Sequence, residues 1–499
     1  MSATDSLPRP ALRALILLVL TFAVFLPRLL DLGTILTVDE PLWQGRSAQF
    51  IKGLATGHLD RTIVAGQPGV TTAWIAGMAH AYRSLAASQA TIGVATGLLV
   101  LLCTYFLVRL WGWRLGIIGG FVLALQPFLL GHSRVVHTDA LLALFSLASV
   151  LALLAGLDPL RQRRPMIIRY LAASGALAAL AILTKIFAIF LIPTALVIMA
   201  YHLWRYRQPT PHIIRAIGLW GGALIVVGYI AWPALWLHSD KVASLLLERS
   251  TLHAGGTREE ETTSSSWYYL REIPFRLSTA GSVLALVGVV GLIQTKRKLD
   301  GRWSMTWLLL SGAALLTLMT IAADKSDRYV LFTILVIELL GVVGIAFLAQ
   351  LLPTQRRSQA LLLISTIVIG WLLVDAARLH PYYLAHYNRL YPIETRHKLG
   401  WGEGLEQAAA WVSQQNPTAK VAAYYPRVFS AFYTGEVVPI NHLDEAKPDY
   451  VVLYRSMFER GPGSIEYDLV ARYLDGDVPA THIVEVNGLP YAWIFSTDK

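Results

Sequence analysis

The stretch "GQPGVTTAWIAGMAHAYRSLA", Gly66 to Ala86, decides how this chain is threaded. A helix that crosses a bilayer needs about 20 predominantly apolar residues. Eleven other segments meet that need, near 11–31, 90–109, 115–132, 139–157, 167–184, 186–203, 214–236, 278–294, 303–323, 329–352 and 360–377. Gly66–Ala86 is moderately apolar, and counting it as a twelfth crossing would move every later loop to the opposite side. With eleven crossings the basic loops share one side. Arg9 and Arg13 lie there with Arg109 and Arg114, then Arg161, Arg163, Arg164 and Arg169, then Arg205, Arg207 and Arg215, then Lys296, Arg297, Lys298 and Arg302, and finally Arg356 and Arg357. Lysine and arginine concentrate on cytoplasmic loops. The chain is therefore expected to be a multi-pass protein of the plasma (inner) membrane with a cytoplasmic N-terminus, and Gly66–Ala86 an interfacial or re-entrant piece on the outer side.

Composition agrees. The 499 residues are 55% hydrophobic and 15% charged, with mean hydropathy +0.52, whereas soluble domains carry about 25% charged residues. The net charge of +10 is accounted for by the cytoplasmic loops, so nucleic acid is not expected as a partner. The single cysteine, Cys103, lies in an apolar run and excludes an intrachain disulfide or a cysteine-built metal site. The first apolar run is too long for a signal-peptide core and reads as a retained anchor.

Residues 1–377 are thus expected to form the transmembrane domain, with outer loops at 32–89 and 237–277. Within the first loop, Leu42 to Leu54 places Leu42, Trp43, Phe50, Ile51 and Leu54 against Gln44, Arg46, Gln49 and Lys52, the pattern of a helix lying on the membrane. Residues 378–499 read as a small extracytoplasmic α/β domain. "GLEQAAAWVSQQN" is expected to be helical, and "KVAAYYP", "PDYVVLY" and "HIVEVNGLPYAWIFS" are expected to contain strands.

The outer side collects the unusual charges. "TVDEPLW" (Thr37 to Trp43) sets Asp39 and Glu40 beside a proline where the first crossing ends. "SRVVHTDALLALF" (Ser133 to Phe145) sets Arg134, His137 and Asp139 at the head of another. Lys185 stands in "LTKIFAIFLIP" between two crossings with barely a residue to spare, and Arg328 follows "DKSD" at the head of a late one. Each has an ordinary alternative. Asp39 and Asp139 sit where helix caps sit, a proline at the first helical position is a helix-start signal, and Lys185 could snorkel to the interface. Together they put acids and bases at the mouths of several helices. A carboxylate can take a proton from a hydroxyl and a cation can hold a phosphate, and transfer of a group from a phosphate-linked lipid to a hydroxyl needs both.

These motifs, with "DKSDRYVLFTILVIELL", "HPYYLAHYNRL" (His380 to Leu390) and "GWGEGLEQAAAWV" (Gly400 to Val412), resemble in order and spacing the GT-C glycosyltransferases. The likeness is specifically to family 39, with its protein O-mannosyltransferases and its bacterial aminoarabinose-transferase-like members. The chain departs from the family in following Lys185 with Ile186 rather than a small residue, and in the acidic insert Glu259–Glu261 of "GGTREEETTSSSWYYLREIP". The resemblance implies a GT-C fold and an inverting transfer of a sugar from a polyprenyl-phosphate donor to a hydroxyl on a lipid, glycan or protein acceptor. It makes Asp39 the catalytic base with Glu40 as its neighbour, and Asp139 an orienting, acceptor-contacting or metal-binding residue. Lys185 and Arg328, aided by Arg258 or Arg271, would meet the donor phosphate, with Arg134, His137, His253 and Tyr268 as further cavity candidates. No cofactor is certain; a divalent cation on Asp39 and Asp139 is left open. Two other readings compete: a transporter or lipid flippase, which would favour paired repeats and charges at the bilayer midplane, and a non-catalytic membrane scaffold that binds partners through its tail.

Overall fold

A computed structural model describes the chain except residues 1–8, 65–67, 80–83, 160–163, 256–265, 295–300, 393–398, 460–462, 475–478 and 498–499. Each of the eleven expected segments is helical. They are α1 (Pro10–Leu29), the two halves of α4 (Leu85–Leu125), α6 (Asp139–Leu157), α7 (Ile168–Thr184), α8 (Leu191–Arg205) with the 3-10 turn Ile186–Phe190, α9 (Thr210–Ala231), α13 (Thr279–Ile293), α14 (Arg302–Ile321), α15 (Leu331–Leu351) and α16 (Thr354–Leu379). Among the described residues, eight helices, two of them counted with the 3-10 turn that leads into them, are long and apolar enough to cross a membrane. This is a multi-pass membrane protein.

Two local features explain how fewer long helices yield more segments. Gly112, at φ 78° and ψ 172°, breaks α4. Beyond it the chain packs back on itself. A Cβ at Gly116 would collide with the backbone of Val108, and one at Gly120 would meet Thr104 at 2.6 Å. Small residues four apart let two helical stretches approach this closely. The second feature is the 115° bend between α12 (Tyr268–Arg276) and α13. There Glu338 of α15 accepts from the Ser278 backbone N–H at 2.6 Å and from its hydroxyl at 2.9 Å, satisfying groups that the bend removes from the helical ladder. The deepest helices are α6 and α15, buried along nearly their whole length; the others surround them and turn apolar side chains outward, as α9 does with Ile214, Ile225, Val226 and Ile230.

Shorter helices lie between the long ones: α2 (Glu40–Ala55), α3 (Val70–Gly77), α5 (Pro127–Ser133), α10 (Ala234–Leu237) and α11 (Ser239–Gly255). The eight residues of α3 rise about 12 Å at 1.5 Å per residue, far short of a crossing. It is packed inward beside α7, where the Gly69 N–H donates to the Thr184 carbonyl at 3.1 Å. The buried stripe of α2 is Glu40, Trp43, Ser47, Phe50 and Gly53. Of the expected apolar face, Trp43 and Phe50 are buried against protein, while Leu42 points outward, 49% exposed.

The tail is α/β as expected. Helix α17 (Leu405–Gln415) precedes a five-stranded sheet of β1 (Val421–Ala423), β2 (Val437–Pro439), β3 (Tyr450–Tyr454), β4 (His482–Val486) and β5 (Leu489–Ser496), in the order β2-β1-β3-β5-β4. β1 runs parallel to β2 and β3, while β5 runs antiparallel to β3 and β4. One face packs on α17 through Leu405, Ala408 and Val412; that same apolar cluster contains Leu36 of the first loop and Phe275 of α12. The tail is therefore docked on the transmembrane part through shared core.

Candidate active site

Ionisable side chains from four separate segments meet at one end of the bundle. The first loop delivers Asp39 to the N-cap position of α2, yet its side chain makes no capping bond. Its Oδ2 lies 3.2 Å from Arg328 Nη1 and 3.4 Å from His137 Nε2. Asp139 opens α6 and is fully buried. Its Oδ1 accepts from Lys185 Nζ at 3.0 Å; its Oδ2 lies 2.8 Å from His137 Nδ1 and 3.6 Å from Arg328 Nε. His137 thus stands between the two aspartates. Neither aspartate is occupied as an ordinary cap.

Burial divides this cluster into a floor and an opening. Asp139, Lys185 and His137 are 0%, 1% and 6% exposed at the side chain, whereas Asp39 and Arg328 are 32% and 22% exposed. A buried charge survives only when paired. Lys185 is extended at the C-cap of α7 (φ −158°, ψ 133°), which aims it inward rather than toward the interface, with Nζ 4.0 Å from the Tyr329 ring centroid. Arg328 projects from the 3-10 turn Asp327–Val330. Burial alone would raise the Asp39 carboxyl; the His137 hydrogen bond and the Arg328 charge outweigh it and hold it at about 2.

The other expected residues divide. Glu40 is fully buried and turned away from Asp39. It accepts from the Thr37 N–H (2.7 Å) and hydroxyl (3.1 Å), from Gln89 Nε2 (2.9 Å) and from the Val136 N–H (2.9 Å). Its carboxylate ties three segments together instead of facing the opening, which corrects its reading as a reacting neighbour. Arg134 lines a small cavity with Asp31, Gln89 and Tyr383 and donates to the carbonyls of Pro27 and Asp31, closing the C-terminal end of α1. Arg271 pairs with the adjacent Glu272 at 3.3 Å. Tyr268 is buried edge-on against Tyr269, with ring centroids 5.0 Å apart. The His253 side chain and Arg258 lie outside the described residues.

Sequence reading missed Trp401. Its indole lies 4.5 Å from the Arg328 guanidinium carbon, 5.0 Å from the His137 ring and 5.8 Å from the His132 ring. The only signal was an aromatic between glycines in "GWGEG". A cation does not suit the cluster: every oxygen of Asp139 already faces Lys185, His137 or Arg328. Among the described residues no group of three or more His, Cys, Asp or Glu side chains is placed to hold a metal ion.

Residues 68–236 match the family model described as dolichyl-phosphate-mannose-protein mannosyltransferase. That range contains His137, Asp139 and Lys185 but neither Asp39 nor Arg328. No curated protein matches the sequence. The structure of ArnT from Cupriavidus metallidurans bound to undecaprenyl phosphate superposes at TM-score 0.53 and 12% identity, covering 98% of each chain. The archaeal oligosaccharyltransferase AglB from Archaeoglobus fulgidus, solved with an inhibitory peptide and a dolichol-phosphate, gives TM-score 0.48 at 11% identity over 88% of this chain and 69% of that one. The protein has the GT-C glycosyltransferase fold that its motifs resemble, with the mannosyltransferase family's pattern on residues 68–236.

Proposed function

We propose that this protein is a membrane glycosyltransferase that moves a sugar from a polyprenyl-phosphate donor to a hydroxyl acceptor, with inversion, at the outer face of the plasma membrane. The observation that carries the reading is the half-open Asp39–Arg328 pair, 3.2 Å apart, over the buried Asp139–Lys185–His137 floor. Such a site offers a base and a phosphate-binding cation side by side. Asp39 takes the proton as the acceptor oxygen attacks the anomeric carbon. The bond between that carbon and the phosphate oxygen breaks, and the polyprenyl phosphate leaves with the electron pair. Arg328 meets its charge with the two parallel bonds a guanidinium can make; Lys185 adds positive potential from below. His137, held between Asp39 and Asp139, keeps the base oriented.

This arrangement makes Asp39 a poor base until the donor arrives. A phosphate that draws Arg328 toward itself takes the strongest nearby charge off Asp39 and raises its affinity for a proton when the proton must be accepted. A base acts deprotonated. In the free protein Asp39, faced by His137 and Arg328 with Asp139 behind, stays deprotonated down to about 2. The acid limb of kcat/KM due to Asp39 therefore lies near there, since that ratio reports the free enzyme. The limb of kcat lies higher. Rates at limiting and saturating donor across the acid range check this; identical limbs in both would contradict it.

Transfer activity is measured on the purified protein in detergent over a panel of polyprenyl-phosphate sugars and hydroxyl acceptors. Failure with every donor, with lipid movement in vesicles instead, would favour the transporter. The orientation rests on the basic loops, and a reporter fused after Trp401 is expected to behave as extracytoplasmic; a cytoplasmic signal would overturn the topology.

A further inference from the structure

Among the described residues, the tail domain reaches the ion cluster through the loop around Trp401. The Trp401 carbonyl accepts from the Val38 N–H at 3.1 Å, one residue before Asp39. The loop that presents it is built for close approach. Gly400, Gly402 and Gly404 all have positive φ, at 96°, 126° and 84°, conformations that a side chain would strain. At Gly402 there is no room either: a Cβ would collide with the Leu36 carbonyl oxygen. Glu403, buried within the loop, accepts from the Trp401 N–H, and the Tyr454 hydroxyl of β3 accepts from the Gly402 N–H at 2.9 Å. The sheet thus braces the loop from behind. In front, the indole lies against Arg328 and His137, the two groups that hold Asp39. It is only partly buried.

We propose that Trp401 is a positioning residue supplied by the tail domain, whose indole fixes the Arg328 guanidinium and the His137 ring in the orientation the donor phosphate requires. The tail domain completes the site. A guanidinium on an arginine's flexible stem has many orientations available. An indole face at 4.5 Å restricts them by cation–π attraction, which is strongest for tryptophan. The indole also covers that side of the ion cluster against water, which strengthens the charge interactions beneath it.

The inference rests on the glycosyl-transfer reading, and its test separates the two. Undecaprenyl phosphate in detergent micelles is titrated onto wild type, Trp401→Ala, Trp401→Phe and Trp411→Ala, and transfer kinetics are run with donor and acceptor varied separately. Trp411, in the same domain, stacks on His482 at 4.9 Å and controls for domain stability. Trp401→Ala is expected to weaken undecaprenyl phosphate binding, and to raise the donor KM, by about tenfold, the scale of one partly desolvated cation–π contact. The acceptor KM should hold, and Trp401→Phe should restore most of the loss. Trp411→Ala should lower the melting temperature without changing donor affinity. Unchanged donor affinity in Trp401→Ala would overturn the proposal. So would equal losses in Trp401→Ala and Trp411→Ala that track their melting temperatures, since Trp401 would then only dock the domain. If wild type binds undecaprenyl phosphate yet transfers nothing from any donor, the function reading fails while the affinity series still decides the role of Trp401.

Discussion

Asp39→Asn is expected to lower kcat by about 10²- to 10⁴-fold, the contribution of a positioned general base, while the protein keeps its melting temperature and binds the donor at least as tightly, because Arg328 no longer has to leave a carboxylate. The substitution keeps size and one acceptor oxygen, so His137 Nε2 and Arg328 Nη1, 3.4 and 3.2 Å away, retain a partner in a site that is one-third exposed. What disappears is the capacity to take a proton. Glu40→Gln should behave in the opposite way. The Glu40 oxygens accept from the N–H groups of Thr37 and Val136, from Gln89 Nε2 and from the Thr37 hydroxyl. A glutamine has one acceptor oxygen and an NH2 that must then face a donor, and an unmet buried donor costs about 1–3 kcal/mol. The measurements are single-turnover transfer and thermal unfolding on both variants in detergent. Full activity in Asp39→Asn, or its failure to accumulate in the membrane, would remove Asp39 from the role of base and return it to the helix end as a structural residue.

The contrast between these neighbours shows where the sequence is legible. Apolar runs of crossing length announce themselves, because the bilayer allows no substitute for them, and charges in so apolar a chain stand out at the helix mouths. Asp39, Asp139, Lys185 and Arg328 could be picked out on that ground alone, and the fold does bring them together. Adjacency misleads about Glu40. Successive residues in a helix point about 100° apart, so the carboxylate that opens α2 turns into the protein while its predecessor faces the opening. Arg134 precedes Asp139 by five residues, but the carbonyls at the end of α1 draw its guanidinium backward. Trp401 is a different kind of omission. It lies 362 residues from Asp39 in the chain and reaches the site only because the tail shares core with Leu36 and Phe275. No local pattern encodes such a docking. The hairpin at Gly112 was visible only as two apolar runs; its tightness depends on Gly116 and Gly120 lying opposite Val108 and Thr104.

The Lys185–Asp139 pair carries the other large expectation, in stability as well as in rate. Lys185→Met should destabilise the protein by about 3–5 kcal/mol, the cost of leaving one member of a buried ion pair without its partner. Asp139 is fully buried, and Lys185 Nζ at 3.0 Å is the cation bonded to its Oδ1. The double variant Lys185→Met/Asp139→Asn removes both charges and should recover much of that loss, because a neutral pair of similar volume avoids the desolvation that the ion pair must offset. Activity should not recover with it. Without Asp139, His137 Nδ1 and Arg328 Nε lose the carboxylate oxygen that lies 2.8 and 3.6 Å from them, and without Lys185 the leaving phosphate loses the potential beneath it. The two cations should then differ in how they act on the donor. On the proposed mechanism the partly exposed Arg328 contacts the phosphate itself, so Arg328→Lys should raise the donor KM with little change in melting temperature. Lys185 would act from below, so its substitution should lower kcat and stability together. Thermal unfolding of the single and double variants, with donor and acceptor kinetics on each that survives, separates these effects. A Lys185→Met protein as stable as wild type, with only the acceptor KM raised, would show that Lys185 faces the acceptor and that Asp139 is held by His137 and Arg328 alone.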